Sequence, residues 1–171
     1  MKYIFYLAVA LVATVSYSPA SAQPRPTASS NAHVPAIHAP TPSAEDSVKA
    51  AVNLLFTGML QSNAATIRSS FTDSAILQSI IEKEGKTIAR TESVNDFAQA
   101  IAKLEKGVAD ERIRFDVIRI DVPLAIVWAP YSFYYKGKLN HCGVDSFQML
   151  LVDGVWKIQY LIDTRRKQSC Q

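Results

Sequence analysis

The sequence has little net charge, few cysteines and no long apolar stretch, and each shortage narrows the classes of function. The formal net charge is +3 over 171 residues, and the basic residues are dispersed, which argues against nucleic-acid binding. The sequence contains no serine nucleophile elbow, no phosphate-binding loop and no zinc-ligand spacing. We therefore expect neither a metal nor a cofactor.

The longest uncharged apolar run lies near the N-terminus and is too short to span a membrane. It covers residues 3–17, behind Lys2, whereas a spanning helix needs about 20 residues. Ala20 and Ala22 follow in an A-x-A arrangement. Charge, apolar core and small residues in this order predict a signal peptide over residues 1–22, cleaved before Gln23. We expect a protein of the bacterial periplasm or exterior, with no membrane attachment after cleavage.

The two cysteines are Cys142 and Cys170. Export would place them in an oxidising compartment, where an even number of cysteines favours a disulfide. Such a bond would hold the C-terminal tail against a sheet. Two free thiols, or disulfides between chains, are the alternatives.

A proline-rich segment separates the signal peptide from the folded part. Residues 23–42 also contain many Ser, Thr and Ala and show no apolar periodicity, which predicts a disordered linker. His33 and His38 lie in this linker, where we do not expect them to converge on a metal. The ordered domain is predicted over residues 43–171.

Helical and strand patterns alternate in the first half of this domain. Ser43, with Asp46 three residues later, predicts a capped amphipathic helix, and Asn63 predicts the cap of a shorter one. The Glu84-Gly85 pair predicts a β-hairpin, and Ser93 predicts the start of a third helix.

From Glu111 onward, apolar residues recur with the two-residue period of β-strands. The alternation slips by one residue after Val117, which predicts a bulge, and Pro130 predicts a further bulge or a sheet edge. Gly137 marks a tight turn, and Asp153-Gly154 is a strong hairpin signal. This order predicts an α+β fold in which three helices cover one face of a strongly bent antiparallel sheet.

Three C-terminal segments carry a family resemblance: residues 128–131 (WAPY), 141–147 (HCGVDSF) and 154–158 (GVWKI). With the order of elements, they resemble the nuclear-transport-factor-2-like superfamily, and within it the secreted bacterial proteins grouped as putative lumazine-binding or SnoaL-like. The resemblance implies a cone-shaped domain that forms a dimer through the convex face of its sheet. It does not select a function, because the superfamily includes isomerases, dehydratases, cyclases, transport adaptors and ligand-binding modules.

The Asp153-Gly154 turn predicts the register of the last hairpin and, with it, a candidate site. In that register the facing pairs include Phe147 with Tyr160, Asp145 with Ile162, and His141 with Arg166. This face is mostly apolar and aromatic, so we expect it to be concave and packed on the helices. The other face, which includes Cys142 and Asp163, is expected to be convex.

His141 and Asp145 are the polar residues on this otherwise apolar face, which makes them the candidate acid–base groups. Four strand positions separate them, about 13 Å, so they cannot form a direct dyad. A structural, hydrogen-bonded role is the alternative for each. The predicted ligand-binding residues are Trp128, His141, Asp145, Phe147 and Tyr160.

Three functional hypotheses follow. The first is an exported domain that binds a small apolar or aromatic ligand inside the cone. The second is a cofactor-free isomerase or dehydratase that uses Asp145 or His141 as acid or base. The third is a homodimeric interaction module whose cone is filled by side chains.

Overall fold

A computed structural model describes residues 42–170 of the chain. The predicted signal peptide, the two leader histidines and nearly all of the predicted linker lie outside the described residues. The helices are α1 (Ala44–Leu60), α2 (Ala64–Ser69) and α3 (Val94–Ala102). The strands are β1 (Phe71–Lys83), β2 (Lys86–Glu92), β3 (Ala109–Ile113), β4 (Val117–Asp121), β5 (Leu124–Tyr135), β6 (Lys138–Val152) and β7 (Val155–Thr164).

The helices begin where side chains satisfy their first backbone N–H groups. The Ser43 hydroxyl accepts a hydrogen bond from the Asp46 N–H at 3.0 Å, and the Asp46 carboxylate accepts one from the Ser43 N–H, which completes a capping box. The side chains of Asn63 and Ser93 likewise accept hydrogen bonds from the first N–H groups of α2 and α3, without the reciprocal bond of a capping box. The predicted helix starts are therefore confirmed.

One sheet contains all seven strands, in the order β2-β1-β7-β6-β5-β3, and β4 also pairs with β5. The Glu84-Gly85, Lys136-Gly137 and Asp153-Gly154 turns have positive φ at both residues, the geometry of type I′ hairpin loops. The α+β fold with a strongly curved, open sheet is confirmed. One pair differs from expectation, because β1 runs parallel to β7 and makes the sheet mixed.

The predicted slip in alternation is absorbed by a bulge between β3 and β4. Residues 114–116 stand opposite only residues 129–130 of β5. Pro130 faces this interruption, and its carbonyl accepts a hydrogen bond from the Arg114 N–H at 2.9 Å. Because proline has no N–H to donate, the break in the neighbouring strand falls where β5 lacks a donor.

The helices pack on the concave face of the sheet and enclose the core. Fully buried Phe147 of β6 meets Phe56 of α1 edge to face, with 6.3 Å between the ring centroids. The predicted Cys142–Cys170 disulfide is present and ties the C-terminal tail to β6. Within residues 42–170, no helix has both the length and the apolar character needed to cross a membrane.

Candidate functional site

A bulge in β7 decides which side chains reach the concave face. From the turn up to the pair of Met149 with Ile158, the register is the predicted one. The next residue of β6, Gln148, pairs with Tyr160, so that Gln159 has no partner in β6. The side chain of this extra residue is held by the first residues of β1.

Hydrogen bonds to Thr72 and Ser74 hold the side chain of the bulged Gln159. Its Oε1 accepts a hydrogen bond from Thr72 Oγ1 at 2.8 Å, and its Nε2 donates to the Ser74 carbonyl at 3.2 Å. The register of β1 against β7 is also irregular here, between Phe71 and Ile76. The irregularities of the two neighbouring strands therefore coincide.

Beyond the bulge, each predicted pair is displaced by one residue. Phe147 lies opposite Leu161, and Asp145 lies opposite Asp163. Asp163 was predicted on the convex face, and the bulge moves it to the concave one. The predicted partner of His141 also changes, because Cys142 forms the bridge with Arg166.

Two of the predicted ligand-binding residues face away from the concave side. Tyr160 pairs with Gln148, and its hydroxyl donates to Gln78 Oε1 at 2.6 Å. Trp128 pairs with Ser146, and 47% of its surface is exposed on the convex face. The side chains of adjacent strand residues point to opposite faces, so neither residue reaches the site beside Phe147.

A cavity of about 150 Å³ lies between the helices and the concave face. Apolar side chains from α1, α3 and the sheet line most of it, among them Leu55, Phe97 and Ile101. Its polar end is formed by Glu111, His141, Asp145, Asp163 and Arg165. An apolar cavity of roughly this size holds a molecule as large as benzene. Phe147 lies in the core rather than on this lining.

Asp163 is held by three side chains at the polar end. Its Oδ1 accepts a hydrogen bond from Ser79 Oγ at 2.5 Å, and its Oδ2 lies 2.7 Å from Arg165 Nε. The Tyr131 hydroxyl lies 3.2 Å from Oδ2 and 2.9 Å from the Thr164 carbonyl, and its one proton is divided between these two acceptors. Burial, together with the nearby carboxylates, raises the pKa of Tyr131, which keeps this hydroxyl a donor. Both carboxylate oxygens of Asp163 thus have partners.

Asp145 is in a different situation, because its neighbour is a second carboxyl group. It is 3% exposed, and no N–H or hydroxyl of the described residues donates to its Oδ2. Its hydrogen-bond neighbour is Glu111 of β3. Burial and the negative charge of Glu111 raise the pKa of Asp145 well above its ordinary value. Two carboxyl groups can hydrogen-bond only when one is protonated, and the raised pKa of Asp145 favours that arrangement.

Burial also raises the pKa of Glu111, to about 7. The charge of Asp163 acts in the same direction, while the hydrogen bond from Asp145 and the charge of Arg165 oppose the rise. The Glu111–Asp145 pair therefore can release or take up a proton near neutral pH. That is the pH range in which a general acid or base is most useful.

His141 lies at the outer end of the cavity, between two aromatic rings. The centroid of its imidazole ring is 4.9 Å from the ring centroid of Phe133 and 5.7 Å from that of Tyr131. Its Nδ1 is 2.9 Å from Asn140 Oδ1. Burial lowers its pKa, and the positive charges of Arg165 and Lys167 lower it further, which favours the neutral imidazole. His141 and Asp145 thus line one cavity without forming a dyad.

Sequence reasoning missed Glu111, Asp163 and Arg165. Glu111 could have been predicted, because side chains two and four residues apart on a strand face the same side and Ile113 and Phe115 face inward. The other two could not, since their face depends on the bulge. No cluster of His, Cys, Asp or Glu in the described part of the chain is arranged to hold a metal ion.

Comparison with known proteins gives a family and a fold. The family described as "Putative lumazine-binding" matches residues 43–160. An NTF2-like protein of unknown function from Shewanella baltica is 13% identical, with 71% of this chain and 93% of that chain covered and a TM-score of 0.57. A second, from Silicibacter pomeroyi, is 15% identical, with 70% and 93% covered and a TM-score of 0.55.

A protein from Nostoc punctiforme with a cystatin-like fold is similar to a comparable degree. It is 15% identical, with 73% of this chain and 78% of that chain covered and a TM-score of 0.57. No curated protein matches the sequence significantly. At these identities the solved structures establish the fold and leave the ligand to be argued from the cavity.

Proposed function

Because this chain belongs to the putative lumazine-binding family, within the nuclear-transport-factor-2-like superfamily, we propose that it is an exported domain that binds a small ligand. The binding site is the cavity between the helices and the concave face. The observation that carries the proposal is Asp145, a buried carboxyl group on the cavity lining whose Oδ2 has no hydrogen-bond partner within residues 42–170. An unsatisfied buried polar group costs about 1–3 kcal/mol, which a ligand that hydrogen-bonds to Asp145 recovers.

The size and lining of the cavity define the class of ligand. A volume of about 150 Å³ suits a single ring, and the aromatic and aliphatic lining suits an apolar one. Lumazine is a fused two-ring compound, so a lumazine would require the cavity to widen. We therefore propose a one-ring ligand whose polar substituent hydrogen-bonds to the Glu111–Asp145 pair.

The test begins with protein purified from its native host. Denaturation should release a one-ring compound that mass spectrometry identifies, and calorimetry then measures its affinity for the refolded protein. We expect Asp145→Ala to weaken binding at least about tenfold, since one good hydrogen bond is worth about that much. Ile101→Phe should abolish binding, because the larger side chain fills the cavity.

The control is Trp128→Ala, which changes an exposed residue on the convex face and should leave affinity unchanged. Folding of all variants is checked by circular dichroism. Unchanged affinity in both Asp145→Ala and Ile101→Phe would place the ligand outside this cavity and contradict the proposal.

A second candidate is an acid–base enzyme of the isomerase or dehydratase type. It is favoured by the carboxyl groups of Glu111 and Asp145 on the same cavity lining, where burial raises the pKa of Glu111 to about 7. If the pair transfers a proton during turnover, Glu111→Gln should abolish turnover of the released compound while its affinity changes little. In a protein that only binds, the same substitution alters affinity and there is no turnover to lose.

We also propose that the protein is a homodimer through its convex face. Leu124, Ile126 and Trp128 alternate along β5 on that face and are 45%, 43% and 47% exposed. A row of large apolar side chains on an open sheet is typical of an interface. The Cys142–Cys170 disulfide supports the proposed export, because such bonds persist in oxidising compartments.

A further inference from the structure

A wide groove adjoins the polar end of the cavity. Its volume is about 900 Å³, and it is lined by the outer ends of β1, β2 and β6 together with residues 164–168. His141 and Arg165 belong to the lining of both the groove and the inner cavity. These two side chains are therefore the boundary at which a ligand in the cavity would extend into the groove.

The groove is positively charged at this boundary. Arg165, Arg166 and Lys167 line it, against a single acidic residue, Glu82. Arg165 is paired with Asp163, whereas Arg166 and Lys167 form no ion pair within residues 42–170. The polar end of the cavity itself has the opposite character, since the carboxyl groups of Glu111, Asp145 and Asp163 meet there. The site as a whole thus changes from acidic inside to basic outside.

The basic segment is fixed in place rather than left as a loose end. Cys142 and Arg166 exchange two backbone hydrogen bonds, of 3.0 and 2.9 Å, and the Cys142–Cys170 disulfide closes the tail behind them. A basic run that only interacts with solvent does not require backbone hydrogen bonds and a disulfide to fix its position. Here they hold Lys167 near His141, whose pKa its charge helps to lower.

We infer that the ligand carries an anionic group, a carboxylate or phosphate, that lies in the groove beside Arg166 and Lys167. This inference rests on the proposed function, because the ring of the same ligand occupies the inner cavity. A short chain of two or three carbons past His141 connects the two parts. Binding then combines burial of the ring with a charge contact at the rim.

Two matched probes test the inference. Phenylpropionate and phenylpropanamide share the ring and the chain and differ in the negative charge. Calorimetry on the disulfide-bonded protein at low ionic strength should show the anion binding at least about tenfold more tightly than the amide. Because a rim contact is screened by salt, that preference should shrink at about 0.5 M NaCl.

Variants locate the contact. In Arg166→Gln/Lys167→Gln, the preference should fall below about twofold while binding of the amide is unchanged. The control, Lys103→Gln/Lys106→Gln, removes the same charge at the end of α3 and should keep the full preference.

The possible outcomes distinguish failure of the anionic group from failure of the proposed cavity ligand. Equal binding of both probes to the wild type overturns the anionic ligand and leaves the cavity ligand standing. A preference that survives in Arg166→Gln/Lys167→Gln overturns the assignment to this segment. If neither probe binds at millimolar concentration, the one-ring ligand fails and the inference fails with it.

Discussion

Asp145 of β6 and Asp163 of β7 lie directly opposite each other, with both side chains on the concave face. Like charges in this position repel, and neither is solvated by bulk water. The repulsion is resolved asymmetrically. Asp163 is paired with Arg165 and contacted by Ser79 and Tyr131, whereas burial and the charge of Glu111 raise the pKa of Asp145. One carboxylate has a structural role, and the other remains available to a ligand.

The first prediction concerns Asp163. Asp163→Asn removes the ion pair with Arg165 and weakens the bonds from Ser79 and Tyr131, and we expect a loss of about 2 kcal/mol in the free energy of unfolding. Relief of repulsion with Asp145 offsets only part of this. Urea denaturation near neutral pH measures the loss.

Its control is Asp153→Asn, in an exposed type I′ turn where asparagine is equally favourable. That change should stay within about 0.5 kcal/mol. If both variants unfold at the same urea concentration as the wild type, the three contacts of Asp163 do not stabilise the fold.

The elements that could be predicted from the sequence are those that depend on local interactions. The Ser43–Asp46 capping box, the three type I′ turns and the inward alternation of Phe147 and Asp145 each involve residues close in sequence. The interactions that form these features lie within one turn or one hairpin, so short sequence patterns were enough to predict them.

The site could not be derived in the same way, because its register depends on distant contacts. The bulge at Gln159 is held by hydrogen bonds to Thr72 and Ser74, which lie more than 80 residues earlier. No pattern within the sequence of β7 predicts it. This one extra residue in β7 places Tyr160 on the convex face and Asp163 on the concave face. The parallel pairing of β1 with β7 escaped prediction for the same reason.

The second prediction is a pH dependence of stability. The pKa of Glu111 is raised from its ordinary 4.5 to about 7, so the folded protein holds this proton more tightly than the unfolded chain. Folding then takes up protons across that window. The free energy of unfolding should be highest at its acidic end and fall as pH rises through it, by up to about 1.4 kcal/mol per pH unit for each proton.

Urea denaturation at a series of pH values across the window measures this slope. Glu111→Gln should reduce the slope, because glutamine does not titrate and only Asp145 of the pair still does. Glu105→Gln, which changes an exposed acid outside the cavity, should preserve the slope. An identical slope in Glu111→Gln and wild type would mean that this pair does not control the pH dependence.

The third prediction concerns the close approach of two backbone segments. A Cβ at Gly143 would collide with the Thr164 carbonyl and lie 2.8 Å from Tyr131 Cε1. Backbone cannot move aside as a flexible side chain does, so Gly143→Ala should destabilise the protein by about 3 kcal/mol or more. Gly137→Asn is the control, in an open turn with positive φ that asparagine tolerates. Thermal denaturation of the two variants should differ by many degrees, and similar midpoints would contradict the contact.

The fourth prediction tests the proposed dimer. Ile126→Lys introduces a charge in the middle of the convex apolar row, and we expect the dimer to weaken by at least about 30-fold. Ile88→Lys makes the same change at a similarly exposed position on β2 and should leave the dimer intact. Light scattering over a dilution series measures both. A wild-type protein that is monomeric at every concentration, or an Ile126→Lys variant that still dimerises, would exclude this interface.

The last prediction links the disulfide to the groove. The Cys142–Cys170 bond joins residues 28 positions apart in sequence, and closing a loop of that length contributes roughly 3–4 kcal/mol by restricting the unfolded chain. Cys142→Ala/Cys170→Ser should lose about this much stability. It should also lose the preference for phenylpropionate over phenylpropanamide, because Arg166 and Lys167 are no longer held at the groove.

The two losses have different causes, so they can be measured independently. Affinity for phenylpropanamide should be unchanged at a temperature where the variant is fully folded, since the inner cavity does not include the tail beyond Arg165. A variant that is less stable yet keeps its preference for the anion would show that the disulfide serves only the fold. A variant that loses affinity for both compounds would show instead that the tail supports the cavity itself.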